Sequence, residues 1–256
     1  LSADTVVDQY IDPIPVTLPH DPRQMDRGRQ MWLQTSPEFH MKRMLATGDY
    51  DAIFQVTKSF RIGERGDLHN PEFTIAEWYR VGDDLQAGMN LLGELCMALL
   101  DSPSSERITY AEAFRRHAGF DPVAEDYSPQ RDVRLNEILA EKVEPELGRG
   151  RPVILYHYPA SQAALAQVVT DGDGREVAER FELYVEGVEL ANGYHELLDA
   201  DELRRRNQSN NGIRSADGRP TLPEESKLLT AMEHGLPDCT GVALGFDRLV
   251  MVATQA

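Results

Sequence analysis

The residues best suited to chemistry lie between Phe54 and Arg80, in the stretch FQVTKSFRIGERGDLHNPEFTIAEWYR. Arg61, His69 and Asn70 bracket one charged connection, and the fixed fork of a guanidinium suits a polyanion. Glu77 poses the opposite requirement. Side chains alternate across a strand, so Phe73, Ile75, Glu77 and Tyr79 share one face while Glu72, Thr74, Ala76 and Trp78 share the other. A carboxylate among aromatic and aliphatic neighbours needs a partner, and a cationic ligand would supply one. The stretch therefore predicts an anion site beside a cation site.

Two later segments repeat these themes. Glu189, in Val188-Glu-Leu-Ala-Asn192, is a carboxylate in an apolar strand and again invites a cation, a solvated edge strand being the plain alternative. Gly241-Val-Ala-Leu-Gly245 runs into Phe246-Asp-Arg248, where glycines permit close backbone approach to a ligand and an arginine at a helix start can face phosphate. A Gly-x-x-x-Gly spacing says little alone; Asp247-Arg248 and the earlier hairpin make it specific.

The elements that must hold these residues follow from periodicity. Phe54–Phe60 and Glu72–Tyr79 read as the two strands of a hairpin. Thr35-Ser-Pro-Glu38 predicts a helix through residue 47, with Thr35 as cap, Pro37 in the first turn, and Phe39, Met41, Met44 and Leu45 as its apolar set. Leu85, Met89, Leu92, Cys96 and Leu99 mark an amphipathic helix over 83–100, Thr109-Tyr-Ala-Glu112 has capping-box spacing, and 129–142 reads as a further helix. Pro152–Tyr158 is a strand with His157 as a satisfied core group, a short strand piece follows at 166–169, and Glu182–Val185 and Val188–Asn192 flank a tight Glu186-Gly187 turn. Asp201–Gln208 begins a polar helix, Ser209–Pro223 reads as a surface loop, and 224–234 as a helix.

With 256 residues and 41% hydrophobic content the chain can bury one large core, so residues 1–256 are expected to form a single domain. A formal net charge of −17 opposes broad binding to nucleic-acid backbones but admits a small polyanion such as ATP. No apolar run reaches membrane-helix length and no secretory leader is visible, so a cytoplasmic location without membrane contact is expected. Cys96 and Cys239 lack metal-site spacing and read as buried thiols.

The order Phe60-Arg61, Glu64, His69-Asn-Pro-Glu-Phe-Thr74 and Glu77-Trp-Tyr79 resembles motif 2 of the class II aminoacyl-tRNA synthetases, in the lysyl branch. TSPEFHMKRML (Thr35 to Leu45), ERFELYVEGVELANGYHEL (Glu179 to Leu197) and GLPDCTGVALGFDRLVM (Gly235 to Met251) extend the resemblance over nearly the whole chain. Within that branch the chain is most similar to the elongation factor P–lysine ligases, with which Pro159-Ala-Ser-Gln-Ala163 and Ala243 side. The resemblance implies an α+β class II catalytic fold, an antiparallel sheet flanked by helices, with 83–150 a helical insertion. No match to motif 1 is found, so that region and the extreme C-terminus are expected to be missing, and a homodimer is expected.

The activity so implied is attack by the carboxylate of lysine or (R)-β-lysine on the α-phosphorus of ATP, then transfer of the aminoacyl group to a lysine of elongation factor P, with tRNA disfavoured. By resemblance, Arg61 would hold the α-phosphate and carboxylate and Arg248 the γ-phosphate, both catalytic. Phe73 would stack on adenine with Arg248 opposite, Glu64, His69, Asn70, Leu190 and Gly245 would complete the ATP site, and Glu189 would bind Mg²⁺. Glu77 would meet the nearer ammonium of the amino acid, Tyr79 and Glu196 the distal one, with Ser36, Pro37, Glu38 and Ala243 around them. One departure stands out: motif 2 has Arg-x-Glu, whereas Gly63 occupies the glutamate position and Glu64 follows it. Glycine tolerates the altered backbone of a one-residue shift, which favours Glu64 taking the role. The alternatives are a lysyl-tRNA synthetase catalytic core and a non-catalytic nucleotide- or lysine-binding regulator.

Overall fold

In the computed structural model, which describes residues 1–102, 104–122 and 129–255, the elements follow in the order β1 (Pro15–Pro19), β2 (Gly28–Trp32), α1 (Glu38–Leu45), β3 (Ala52–Phe60), β4 (Glu72–Val81), α2 (Leu85–Leu100), β5 (Glu106–Thr109), α3 (Tyr110–His117) and α4 (Pro129–Ile138). After them come β6 (Val153–Pro159), β7 (Val168–Thr170), β8 (Glu176–Val185), β9 (Val188–His195), α5 (Ala200–Ala216), α6 (Lys227–Gly235), β10 (Cys239–Gly245) and α7 (Phe246–Thr254). They form two units, Leu1–Glu77 with Leu198–Pro237, and Trp78–Leu197 with Asp238–Ala256.

In the first unit, β3 and the start of β4 make the expected hairpin, and β1 and β2 pair antiparallel from Pro15 opposite Trp32 to Pro19 opposite Gly28. The alternation on β4 is as anticipated: Ile75, Glu77 and Tyr79 are buried while Glu72 and Arg80 are exposed. Helix α1 starts differently from the sequence reading. Thr35 is buried and does not cap it; Pro37 takes the N-cap position and the Ser36 hydroxyl accepts the Glu38 N–H at 3.0 Å. Met44, expected in the apolar set, is exposed.

The larger correction concerns α5. Residues 209–216, read as loop, continue this helix, and beyond Leu203 its buried face is polar: Asn207, Asn211 and Arg214. Asn211 donates to the Leu222 carbonyl and accepts the Leu222 N–H, both at 2.9 Å, and Arg214 donates to the carbonyls of Asp8, Ile11 and Pro220 and pairs with Asp12 at 2.7 Å. Polar side chains here replace backbone partners for chain without secondary structure, so hydropathy mistook a buried helix face for a surface loop.

The second unit carries the main sheet, in which β10, β9, β8, β6 and β5 are neighbours in that order and β7 adds to β8. Its pairs are antiparallel as expected, except that β5 joins β6 in parallel across the helical crossover that separates them. Glu186 and Gly187 both adopt positive φ, 51° and 79°, the two-residue turn that suits the right-handed twist of β8 and β9. Thr109 caps α3 through the Glu112 N–H at 3.1 Å, and Asp84 caps α2. Leu99 of α2 is exposed, and the helix expected over 129–142 is α-helical to Ile138 and widens into a π-helical turn from Leu139 to Val143. Tyr110 and Phe114 of α3 stack at 4.5 Å within the core under β6. His157 is not a regular core position: with φ 58° it sits at the register shift between Tyr156 and Tyr158. Both cysteines are buried, and among the described residues no helix is long and apolar enough to cross a membrane.

Candidate active site

In the first unit the buried face of β4 presents Glu77 at 2% exposure, and the Ser36 hydroxyl donates to its Oε2 at 3.1 Å. Because Ser36 also accepts the Glu38 N–H, the start of α1 and the carboxylate of β4 hold each other in place. Glu38 pairs with the buried Lys42 at 2.7 Å one helical turn along. Pro37 stands between the two as the residue that starts the helix.

Arg61 follows β3 and is held on three sides. Its Nε donates to the Thr35 carbonyl at 3.4 Å, its Nη1 lies 3.3 Å from Glu64 Oε1, and its guanidinium carbon stands 5.0 Å from the centroid of the Phe73 ring. The Arg61–Glu64 pair is partly solvated, the kind of pair worth about 0–1 kcal/mol, so a bidentate phosphate can displace it. Gly63 has φ 81°, a conformation that favours glycine, and it lets Glu64 turn back onto Arg61. His69 and Asn70 are exposed in the same connection, where His69 and Gly66 exchange backbone hydrogen bonds at 3.1 and 3.2 Å.

In the second unit Arg248, in the first turn of α7, donates from Nη1 to the Glu189 carbonyl at 2.8 Å and lies 3.3 Å from Glu189 Oε2. Crowding by the surrounding protein, and then the charge of Glu182, push the Glu189 carboxyl up against the pull of Arg248. Leu190 is buried beside it, Ala243 faces Asn192 across the β9/β10 pair, and Gly245 provides the N-cap of α7. Glu196 is 1% exposed. Gly241 is the glycine whose size matters: a Cβ there would fall 2.2 Å from the Tyr79 ring and 2.3 Å from Glu196 Oε1. The bare backbone of β10 thus makes room for two predicted amino-acid-binding side chains rather than for a ligand, while a Cβ at Gly245 would find ordinary contact distances.

The two units therefore gather the expected residues into two groups: Ser36, Pro37, Glu38, Arg61, Glu64, His69, Asn70, Phe73 and Glu77 in one, Tyr79, Glu189, Leu190, Glu196, Ala243, Gly245 and Arg248 in the other. The profile of the tRNA synthetases class II (D, K and N) matches residues 20–256. The chain belongs to this family. It is 47% identical over 248 residues to an elongation factor P–(R)-beta-lysine ligase of Edwardsiella ictaluri (strain 93-146). Ligases of the same name from Yersinia enterocolitica (serotype O:8 / biotype 1B, strain NCTC 13174 / 8081) and Salmonella arizonae (strain ATCC BAA-731 / CDC346-86 / RSK2980) are each 45% identical. Each match covers 90% of this chain and 75% of the relative. The chain is thus a ligase of the class II synthetase type, as the resemblance of its motifs implied.

Sequence reasoning overlooked a buried polar network beneath Glu189 in this class II unit. Glu182, 4% exposed, accepts from the Tyr158 and Tyr184 hydroxyls, the latter at 2.6 Å, and pairs with Arg180 at 2.5 Å. Tyr184 also reaches Glu144 at 3.1 Å, and burial, helped by the charge of Glu182, pushes the Glu144 carboxyl up to about 7. The signal that singled out Glu77 was available here, since Arg180, Glu182 and Tyr184 alternate along one face of β8. It passed unnoticed because Phe181, Leu183 and Val185 fill the adjoining part of the other face and the segment reads as ordinary core.

Proposed function

We propose that the chain activates lysine or (R)-β-lysine with ATP as an aminoacyl-adenylate, the carboxylate bonding to the α-phosphorus as pyrophosphate leaves, and transfers the aminoacyl group to a lysine side chain of elongation factor P. The observation that carries this reading is the 45–47% identity, over 90% of the chain, to three ligases named for that acceptor and that amino acid. The local chemistry supports it. A carboxylate is a weak nucleophile, so rate must come from positioning and charge neutralisation. Arg61 would hold the α-phosphate and the amino-acid carboxylate, exchanging its solvated Glu64 contact for them, and Arg248 would hold the γ-phosphate. Phe73 would stack on adenine, and Glu64, His69, Asn70, Leu190 and Gly245 would line the nucleotide.

Glu77, Tyr79 and Glu196 would take the two ammonium groups, with Ser36 orienting Glu77 and Ala243 beside them. Pro37 and Glu38 would act through the start of α1, since Glu38 is engaged with Lys42. Among the described residues no group of three or more His, Cys, Asp or Glu stands ready for a metal. A magnesium ion would therefore rest on Glu189 and on oxygens of the nucleotide, a donor set that suits this hard cation. When bound it supplies neutralisation of phosphate charge. The final step forms an amide: the ε-amino nitrogen of the acceptor lysine attacks the activated carbonyl, AMP leaves, and the amine loses a proton.

The decisive experiment incubates the enzyme, ATP, Mg²⁺ and either lysine isomer with purified elongation factor P or with total tRNA. The expected result is a mass increase of the factor by one lysyl group and no acid-precipitable label on tRNA. Charged tRNA with unmodified factor would overturn the proposal in favour of a lysyl-tRNA synthetase core.

A further inference from the structure

His195, which no part of the activation chemistry uses, ends β9 immediately before Glu196. Its side chain is largely buried between two carboxylates: Nδ1 meets Glu179 Oε2 of β8 in a very short contact, and Nε2 lies 2.9 Å from Asp238 Oδ1, just ahead of β10. Both ring nitrogens thus face a carboxylate, with the Gln167 amide nitrogen also 3.3 Å from Nε2, and an imidazole can donate to both carboxylates at once only as the imidazolium. Gln167 closes the cluster, its Nε2 donating to the same Asp238 oxygen at 3.3 Å while its N–H bonds the His195 carbonyl at 2.9 Å and its carbonyl accepts the Glu179 N–H at 2.9 Å. The next residue along is tied in turn, Glu196 N–H to the Cys239 carbonyl at 3.0 Å.

We propose that His195 is a positioning residue for amino-acid recognition: as an imidazolium clamped between Glu179 and Asp238, it fixes the end of β9 and with it the carboxylate of Glu196. This rests on the reading of Glu196 as an amino-acid-binding group. Four segments converge on one charge, and Glu196 Oε1 occupies space that the missing side chain of Gly241 leaves open, 2.3 Å from where a Cβ would stand. Removing the proton leaves a carboxylate opposite a ring lone pair, and the clamp opens at Glu179 or at Asp238.

The charged and titratable groups facing His195 are Glu179 on β8 and Asp238 before β10, with His157 of β6 within reach of the Glu179 charge. The hydrogen bond to Glu179 raises the His195 pKa above its usual value of 6.5 against the opposing pull of burial, and Asp238 adds to the rise. His157 is shifted the other way, by burial. Amino-acid binding should therefore weaken as pH rises through the elevated His195 pKa, while ATP binding should not.

The test measures amino-acid-dependent ATP–pyrophosphate exchange from pH 6 to pH 9 for the wild type, H195Q, E179Q, D238N and E196Q, with ¹⁵N-histidine NMR on the same proteins. The expected result is an amino-acid KM that climbs with pH in the wild type at constant KM for ATP. In E179Q and D238N that limb should move to lower pH together with the His195 resonances, and H195Q should raise the amino-acid KM roughly tenfold at low pH and abolish the limb, the scale of one lost hydrogen bond to a charged group. Ionisation of the substrate amine cannot mimic this, since it does not respond to E179Q. A limb that stays in place in both partner variants, or a His195 that titrates at or below its usual pH in the wild type, would overturn the inference. An unchanged amino-acid KM in E196Q would instead overturn the assignment of Glu196, and the role of His195 with it.

Discussion

Glu77 and Glu196 are held at 2% and 1% exposure, where a carboxylate is costly unless it serves a cation. On the proposed reading, a substrate ammonium desolvated there and deprived of its counter-charge loses about 3–5 kcal/mol. Glu196→Gln is therefore expected to weaken lysine far more than ATP, and isothermal titration giving equal losses for both would remove Glu196 from the amino-acid site. Glu144 allows a second test at this scale. Its folded pKa of about 7 lies above its usual 4.5, so between those values the folded protein binds a proton that the unfolded chain has released. Stability should fall as pH rises from 4.5 to 7 and level off above, a loss of up to about 3 kcal/mol. Glu144→Gln keeps a partner for Tyr184 without the charge. Without Mg²⁺ it should raise the melting temperature at pH 8 and leave it nearly unchanged at pH 4.5; equal melting curves at both values would show that Glu144 is not protonated by burial.

Among the elements, β4 and α5 show opposite outcomes of one sequence rule. On β4 a polar residue on an apolar face marks a site, because a strand offers only two faces and its alternation leaves no ambiguity. Along α5 the polar residues are so many that no apolar stripe emerges, yet Asn207, Asn211 and Arg214 point inward and serve the backbone of segments without secondary structure. This predicts a large effect from a residue remote from any chemistry. Asn211→Ala would leave both the N–H and the carbonyl of Leu222 without their partner and should cost about 2–4 kcal/mol in urea denaturation. A change within about 0.5 kcal/mol, typical of surface sites, would return residues 209–216 to the status of an exposed segment.

Across the whole molecule the formal charge of −17 sets the long-range field. Acidic surfaces repel the phosphate backbone, and a few arginines suffice for a nucleotide but not for a long nucleic acid. Total tRNA in about tenfold excess over elongation factor P should therefore leave the rate of factor modification within roughly twofold, measured by mass spectrometry at physiological salt. Inhibition relieved by added salt would reveal a basic tract that outweighs the net charge.

What the sequence determined by itself was local and chemical. The hairpin of β3 and β4, the buried face of Glu77, the Glu186-Gly187 turn, the capping of α3 and the strand-to-helix junction at Arg248 were all legible, because each depends on residues a few positions apart. The motif resemblance extended this to the family, since it compares types and order rather than contacts. Only the tertiary structure decided who partners whom: that Glu38 pairs with Lys42, that Glu64 turns onto Arg61, that Gly241 yields its space to Tyr79 and Glu196, and that Glu179 and Asp238 close on His195. Glu179 and Asp238 lie far from each other in the chain and meet at one imidazole through the order of β8, β9 and β10, a pairing that no local spacing encodes.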